Sequence, residues 1–191
     1  MLKELIELDQ QATLWINGLN SSLTDPLWTL LSDAKVWFPA YLLIMILMVI
    51  RMGWKKGLVA VLSIILMVVL VDQLSGFVKE GVMRLRPCYN TWMLEHGLEW
   101  PYGRPGFFGF FSSHAANTMG FAVTSWMGFK NDPDHHYKAY GWGVFIWAGL
   151  VCLSRIMMAA HFLGDVLTGI AFGLLMGWLI GLLARRIIRA L

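Results

Sequence analysis

The chain has 191 residues, of which 58% are apolar and only 14% are charged. A soluble domain usually carries about 25% charged residues, so this composition argues against a soluble protein and predicts an integral membrane protein folded as one domain, residues 1–191. The net charge of +3 is small and the basic residues are spread along the chain, which argues against nucleic-acid binding.

The N-terminal region, residues 1–34, begins with an amphipathic stretch. This stretch lacks the basic start and the apolar run of a signal peptide. Its apolar residues recur at helical spacing, which predicts a helix that lies in the membrane interface rather than crossing the membrane. These residues are Leu5, Leu8, Ala12, Trp15, Ile16 and Leu19.

The apolar segments that follow predict about five membrane-spanning helices. A span needs about 20 mostly apolar residues. The segments are 36–50, 57–78, 114–129 and two more within 139–184, which must turn near 155–164. The predicted fold class is therefore all-α, a polytopic transmembrane helix bundle with an additional N-terminal interfacial helix.

Glycines recur at every fourth position of the last span. They give that helix one small face, which suits close packing against another helix. Packing within the fold is favoured over a dimer interface, and the oligomeric state stays open. The residues are Gly169, Gly173, Gly177 and Gly181.

Alternating crossings bring four polar helix ends to one membrane face. The second span ends at Lys79 and the third begins at His114. The fourth span ends near Arg155 and the fifth begins near His161. All four residues therefore lie on the same side of the membrane.

The distribution of basic residues predicts which side this is. Eight lie on the opposite face and seven on this one, but Lys79, Arg86 and Arg155 belong to the chemical site described below. Without them the positive-inside rule places the site outside the cytoplasm of a bacterial inner membrane, with residues 79–113 as an extracytoplasmic loop. The eight are Arg51, Lys55, Lys56, Lys130, Lys138, Arg185, Arg186 and Arg189, and the other four are Lys3, Lys35, Arg84 and Arg104.

Ionisable residues at membrane depth are costly and are therefore candidates for function. His161 and Asp165 are four residues apart, on one face of a helix. We expect Asp165 to accept a hydrogen bond from one ring nitrogen of His161 and to leave the other nitrogen as a nucleophile or base. A buried polar pair that only satisfies itself is an equally good interpretation of these two residues alone.

Three cations are predicted on the same face. Lys79 and Arg86 are seven residues apart, which predicts one shared helix face over two turns, with the helix ended by Pro87. Arg155 precedes His161 by six residues across the predicted turn. Snorkelling of interfacial cations is the alternative, and it would be preferred for Lys79 alone.

Ser112, Ser113 and His114 stand at the entrance to the third span. A helix start offers unpaired N–H groups and a positive dipole end, which favour an anion. Capping by serine is the alternative, and both can hold together. Phosphoryl transfer needs donors around three equatorial oxygens, an in-line nucleophile and an acid for the leaving oxygen. The three cations, two serines, helix N-terminus, two histidines and one carboxylate predicted on this face supply that set.

Two other polar groups have open interpretations. Asp72 is expected to be buried in the second span, paired with a cation or bonded to a neighbouring helix. A loop on the opposite face contains residues that can bind metals, but a solvated turn is favoured there. These loop residues are Asp132, Asp134, His135 and His136.

Three linked motifs resemble the signature of the type-2 phosphatidic acid phosphatase superfamily, which also includes vanadium haloperoxidases and glucose-6-phosphatase. Three motifs in order are far more specific than any one. The second departs from the usual Pro-Ser-Gly-His, with Phe111 in place of the proline and Ser113 in place of the glycine. The motifs are Lys79-x6-Arg86-Pro87, Ser112-Ser113-His114 and Ser154-Arg155-x5-His161-x3-Asp165.

The resemblance implies a role for each motif residue. His161 would attack phosphorus and form a phosphohistidine, Asp165 would orient and support it, and His114 would protonate the leaving oxygen and later activate water. No metal and no cofactor would be needed. The phosphate oxygens would be held by Lys79, Arg86, Ser112, the backbone of Ser113 and Arg155.

The leading hypothesis is a lipid phosphatase whose partners are membrane lipids and whose substrate is a lipid phosphate. The compact chain, five spans and outward site resemble bacterial undecaprenyl pyrophosphate phosphatases, so that substrate is expected. Phosphatidylglycerophosphate, phosphatidic acid and lipid A are the alternatives. Haloperoxidases are soluble, and a transporter would space its polar residues through the bilayer midplane, whereas here they cluster at one face.

Overall fold

The computed structural model describes residues 1–100, 103 and 105–191, and this part of the chain is mainly helical. No strand occurs in it, only an isolated antiparallel bridge between Leu85 and Phe108. The all-α fold class is confirmed, while Arg104 lies outside the described residues. The helices are α1 Leu2–Asn17, α2 Asp25–Ser32, α3 Ala34–Met52, α4 Trp54–Val82, α5 Thr91–Glu95, α6 Ser113–Phe129, α7 Lys138–Met157 and α8 Leu163–Arg189, with a 3-10 turn at Pro87–Tyr89.

Five of these helices correspond to the predicted spans. Helices α3, α4, α7 and α8 are long and apolar enough to cross a membrane. Helix α6 has 17 residues, the lower limit for a span of about 17–25 residues. The predicted turn between the last two spans lies at residues 158–162.

The loops on the face away from the site also meet. Gly53, with φ of 76°, makes the turn from α3 to α4. The loop between α6 and α7 lies beside it, since Arg51 Nη1 and His135 Nε2 are 2.6 Å apart. The two loops therefore share one side, as alternating crossings require.

Helix α6 is the centre of the bundle and packs closely against α8. The glycine face of α8 makes this possible: a Cβ on Gly173 would lie 2.2 Å from the carbonyl oxygen of Ala116, and one on Gly169 2.5 Å from that of Ser112. Such distances leave no room for any side chain. The glycine face therefore serves packing within the fold, as favoured from the sequence.

Helix α3 lies at the edge of the bundle. Met48 is its only buried residue among those described, and much of its apolar surface, such as Phe38 and Leu42, is exposed. Exposed apolar side chains on a spanning helix suit contact with lipid. Apolar grooves run along both sides of α3, against α7 on one side and α4 on the other.

Helix α1 turns its polar face toward the bundle and its apolar face outward. Leu5, Leu8 and Trp15 are exposed. Asn17 donates from Nδ2 to the carbonyl of Met157 at 2.9 Å. This reversed amphipathic pattern suits a helix that lies in the interface and contacts lipid with its outer face.

Candidate active site

His161 lies in the short turn between α7 and α8 and is almost completely buried. Two contacts fix this turn: the backbone carbonyl oxygen of Arg155 accepts the N–H groups of Ala160 at 3.0 Å and of His161 at 3.2 Å. The imidazole Nε2 lies 2.8 Å from Arg86 Nη1. Because a guanidinium can only donate, Nε2 accepts and carries the free electron pair, while the ring proton belongs on Nδ1.

The Nδ1 side of the ring faces Asp165. The distance from Nδ1 to Asp165 Oδ2 is 3.7 Å, too long for a hydrogen bond but short enough for a buried carboxylate to favour a positive charge on the ring. The expected hydrogen bond between Asp165 and the His161 ring is therefore absent, and the carboxylate is instead a close electrostatic neighbour of Nδ1. The other ring nitrogen, Nε2, faces Arg86.

The pKa of the His161 imidazole lies well below its usual value. Burial is the main cause, and the neighbouring charges of Arg86, Arg155 and Lys79 act in the same direction. The ring is therefore neutral at physiological pH, and its Nε2 electron pair is available for attack without a prior loss of a proton.

The Asp165 carboxylate is held by two further groups. Oδ2 accepts the backbone N–H of Phe162 at 3.1 Å and so caps α8. Oδ1 accepts Arg84 Nη1 at 2.7 Å. Arg84 also donates from Nη2 to Asp9 Oδ2 at 2.6 Å, and its guanidinium lies over the Phe162 ring at 4.2 Å.

Arg84 and Asp9 had not been identified as site residues. From the sequence Arg84 is counted only among the basic residues of the site face, although its position two residues before Arg86 is a signal. Asp9 offered none, because α1 and α8 are far apart in sequence. Asp9 Oδ1 also accepts the N–H of Gly164 at 2.7 Å, so α1 is fixed to the first turn of α8.

The prediction that Lys79 and Arg86 share one helix face is wrong. Helix α4 ends at Val82, and Met83 has a left-handed backbone with φ of 50°. Arg86 is instead placed by a short backbone pairing, in which its N–H donates to the Phe107 carbonyl at 3.0 Å. Pro87 begins the 3-10 turn rather than ending the helix.

Lys79 nevertheless reaches the site from the last turn of α4. Its Nζ contacts Ser113 Oγ, and Ser75 Oγ donates to the same hydroxyl at 2.9 Å. The Ser113 side chain, which stands where the similar motif has glycine, therefore orients the lysine. Its backbone N–H stands in the first turn of α6, where it remains available to an anion.

Ser112 and His114 lie on either side of this position. Ser112 is buried, and its Oγ accepts the backbone N–H of Ala115 at 3.4 Å as the N-cap of α6. Capping is thus its observed role, so binding of phosphate by its hydroxyl stays a prediction. The His114 imidazole makes no hydrogen bond within the described part of the chain, and it lines the same cavity as His161.

Arg155 approaches from the end of α7. It is buried, and its Nη1 donates to Ser32 Oγ at the end of α2. The Nε atoms of both Arg155 and Arg86 are buried without an acceptor in the described residues. Since buried donors without acceptors are costly, these two arginines have hydrogen-bonding capacity for an anion.

All three predicted cations and both histidines line one cavity of about 450 Å³. Lys79, Arg86 and Arg155 meet Ser113 and the α6 N-terminus on its walls. Such an arrangement can hold a phosphate dianion and stabilise charge on its oxygens during transfer. The structure thus brings residues of all three motifs to one cavity, while Ser112 and Asp165 do not line it.

Two expectations about other carboxylates are tested by the structure. Asp72 is exposed rather than buried, since it lines the cavity, and it accepts a hydrogen bond from Asn117 of the neighbouring helix α6, one of the two expected pairings. On the opposite face, Asp132 Oδ2 accepts Tyr137 OH at 2.5 Å and lies 2.9 Å from His135 Nδ1. The described residues contain no group of three or more acidic, His or Cys side chains positioned for a metal.

Comparison with known proteins identifies relatives of the whole chain. Lipid A 4'-phosphatase of Porphyromonas gingivalis is 29% identical over 178 residues, which cover 92% of this chain and 72% of that protein. Lipid A 4'-phosphatase of Bacteroides thetaiotaomicron is 28% identical over 189 residues, 98% of this chain and 81% of that protein.

Two solved structures share the fold. The PAP2-type phosphatidylglycerolphosphate phosphatase of Bacillus subtilis aligns with a TM-score of 0.75 at 20% identity, over 96% of this chain and 88% of that one. LpxE of Aquifex aeolicus aligns with a TM-score of 0.64 at 21% identity, over 89% of this chain and 92% of that one. At these identities the likeness concerns the fold alone.

The family itself is given by a match that covers most of the chain. The model of the PAP2 superfamily matches residues 57–189, which include all three motifs and every predicted span except α3. Helices α3, α4, α6 and α7 line a cavity with two histidines and three cations, and four of the described helices are long and apolar enough to cross a membrane. The chain therefore belongs to the PAP2 superfamily and is an integral membrane lipid phosphatase.

Proposed function

We propose that the chain hydrolyses a phosphate monoester of lipid A, or of a closely related acylated amino-sugar lipid, and so removes one phosphate group. The support comes from the two lipid A 4'-phosphatases, which align with 92% and 98% of this chain. The sequence analysis had placed undecaprenyl pyrophosphate first and lipid A among the alternatives. The relatives favour the alternative.

One observation carries the proposed chemistry: His161 Nε2 accepts a hydrogen bond from Arg86 at 2.8 Å inside a cluster of cations. A bound phosphate would draw Arg86 onto one of its oxygens, because a charged acceptor is stronger than a neutral imidazole. The Nε2 electron pair would then face phosphorus.

The first half of the reaction transfers the phosphoryl group to the protein. A bond forms between His161 Nε2 and phosphorus as the bond from phosphorus to the sugar oxygen breaks. His114 donates a proton to that leaving oxygen. Asp165 stabilises the positive charge that the His161 ring acquires, and Lys79 and Arg155 hold the phosphate oxygens.

The second half releases phosphate. A water molecule attacks phosphorus from the side that the sugar has left, and His114 accepts its proton. The bond to His161 Nε2 breaks, and inorganic phosphate departs with the neutral imidazole restored. No step requires a metal, since the three cations provide the positive charge.

We also propose that the site faces the periplasm of a bacterial inner membrane. The charge distribution supports this side once the three phosphate-binding cations are left out of the count. Lipid would enter sideways, because the apolar grooves along α3 adjoin the catalytic cavity.

The test is phosphate release from purified lipid phosphates in detergent, with and without EDTA. The panel contains lipid A, phosphatidylglycerophosphate, phosphatidic acid and undecaprenyl pyrophosphate, and His161→Gln protein measures contaminating phosphatase. We expect the highest kcat/KM with lipid A and no loss with EDTA. Much faster cleavage of another lipid would refute the substrate, and loss of all activity with EDTA would refute the metal-free mechanism.

A further inference from the structure

Asp72 is a carboxylate in the middle of an apolar spanning helix, and the reaction as derived makes no use of it. It lines the catalytic cavity together with Asn117 of α6. Asn117 Nδ2 donates to Asp72 Oδ1 at 2.6 Å. Charged residues are placed in spans at a cost in free energy, so this pair requires an explanation.

The pair is only partly satisfied by the protein. Asp72 forms no ion pair within the described part of the chain, and its Oδ2 accepts no hydrogen bond there. Asn117 Oδ1 is buried without a donor. A buried acceptor without a donor is uncommon in native structures, and beside Asn117 Oδ1 the exposed Oδ2 of Asp72 faces the cavity, so both oxygens are open to a donor from a ligand.

The pair lies deeper in the membrane than the phosphate-binding cations. Asp72 precedes Lys79 by seven residues, which is about 10 Å along a helix. The Lys79 ammonium contacts Ser113 Oγ, which also accepts a hydrogen bond from Ser75, three residues after Asp72. A lipid with its phosphate at Lys79 would present at Asp72 the part that joins its phosphate to its chains.

The pair also marks the entrance to an apolar groove. This groove, of about 380 Å³, runs between α3 and α4 and shares Asp72 and Asn117 with the catalytic cavity. Beyond the pair its walls are apolar, and they include Phe38, Met45 and Val68. Polar head group and apolar chain would therefore meet at Asp72 and Asn117.

We propose that Asp72 and Asn117 form a head-group subsite that binds a hydrogen-bond donor, a hydroxyl or an amide N–H, located between the phosphate and the chains of the substrate. The Asp72 carboxylate accepts this donor while Asn117 holds the carboxylate in place. The inference rests on the proposed function, because an acylated amino sugar carries such donors and a polyprenyl chain does not.

The subsite acts by selecting among lipid phosphates that fit the same catalytic cavity. A site built to hydrogen-bond a substrate discriminates strongly against an analogue without the donor, because its own polar group is then left unpaired. The carboxylate would also repel a second phosphate group at this position, which disfavours lipid pyrophosphates, whose second phosphate lies directly between the reacting phosphate and the chain.

The test compares two variants with wild type on two lipids. Asp72→Asn removes the charge, and Asp72→Leu removes the acceptor. Ceramide 1-phosphate carries an amide N–H and a hydroxyl beside its phosphate, whereas phosphatidic acid, also a two-chain lipid, has no donor there. Glu80→Gln, an exposed acid on the same helix, is the matched control.

We expect Asp72→Leu to lower kcat/KM for ceramide 1-phosphate by about 10- to 100-fold and Asp72→Asn by a smaller factor, mainly through KM. Activity on phosphatidic acid should stay within about twofold of wild type for both variants and for Glu80→Gln. The isosteric Asp72→Asn protein provides a folded comparison if the leucine variant is unstable.

Two results would overturn the subsite. Equal loss on both lipids would show that Asp72 acts on the catalytic cations, and no loss on either would show that the donor is not bound. The proposed substrate is tested separately, by the activity of the wild-type protein on the four lipids of the panel described under the proposed function. If phosphatidylglycerophosphate were preferred over lipid A, the proposed function would fail, while the ratio of variant to wild type on the lipid pair would still decide the subsite.

Discussion

At the scale of single residues, the two histidines differ in what surrounds their rings. His161 lies 3.7 Å from Asp165 on one side and accepts from Arg86 at 2.8 Å on the other. No carboxylate pairs with the His114 ring within the described part of the chain. A ring backed by a carboxylate can carry the charge of a phosphohistidine, whereas a ring without one gives up its proton more readily.

We therefore predict that His161 is the nucleophile and His114 the acid and then the base. His161→Ala should lose nearly all turnover with every lipid. His114→Ala should still form some phosphoenzyme from an aryl phosphate, because a good leaving group needs little protonation.

The measurement is trapping of radiolabelled aryl phosphate on each variant, followed by acid and by base. A phosphohistidine is labile in acid and stable in base, so label on the His114→Ala protein should show that behaviour. Label on His161→Ala and none on His114→Ala would reverse the two roles.

At the scale of helices, α1 contributes to the site without touching the cavity. Asp9 holds both Arg84, at 2.6 Å, and the Gly164 N–H, at 2.7 Å. Arg84 in turn holds Asp165. The N-terminal helix thus acts as a positioning element for the carboxylate behind His161.

This arrangement predicts an effect of Asp9 on turnover rather than on binding. Asp9→Asn should lower kcat about tenfold, because Arg84 loses a charged partner and Asp165 is held less firmly. KM should change little, since phosphate contacts neither residue. Glu7→Gln, on an exposed position of the same helix, is the control, and an equal change in both variants would contradict the positioning role.

The packing of α8 on α6 gives a stability prediction. A Cβ on Gly173 would meet the Ala116 carbonyl oxygen at 2.2 Å, whereas nothing lies within 4 Å of a Cβ on Gly149 of α7. Gly173→Ala should cost about 1–3 kcal/mol through overpacking, and Gly149→Ala should not destabilise. Thermal unfolding of both variants in one detergent makes the comparison, and equal midpoints would show that the two helices can separate at no cost.

At the scale of the whole molecule, hydropathy and the three motifs were sufficient for the five helices and for the residues that meet in the cavity. The helices can be predicted because a span is apolar along its length. The residues of the cavity can be predicted because alternating crossings bring the polar ends of successive spans to the same membrane face. The alternating ends brought Lys79, His114, Arg155 and His161 to one cavity, as expected.

Local backbone geometry and contacts between distant segments could not be predicted in the same way. Met83 adopts a left-handed conformation that few non-glycine residues take, so the helix ended before Arg86. The apolar neighbours of Asp72 in the chain predict its burial, but its side chain lines the cavity and the groove between α3 and α4. The contact of Asp9 with Arg84 joins residues that are 75 apart, and no periodicity reports such a contact.

The side of the membrane on which the site opens remains a prediction from charge, and chemical labelling can test it. The variants Glu95→Cys and His136→Cys place single exposed thiols on the two faces, in a background without Cys88 and Cys152. The two native thiols are buried, so their removal requires a check that phosphatase activity persists. An impermeant thiol reagent added to intact spheroplasts should label the cysteine at position 95 and not the one at 136, because the positive-inside rule predicts a cytoplasmic location for the eight basic residues of the loop at 130–138, the α3–α4 turn and the C-terminus. Disruption of the spheroplasts should then expose position 136 as well, and labelling of position 136 alone in intact cells would invert the topology.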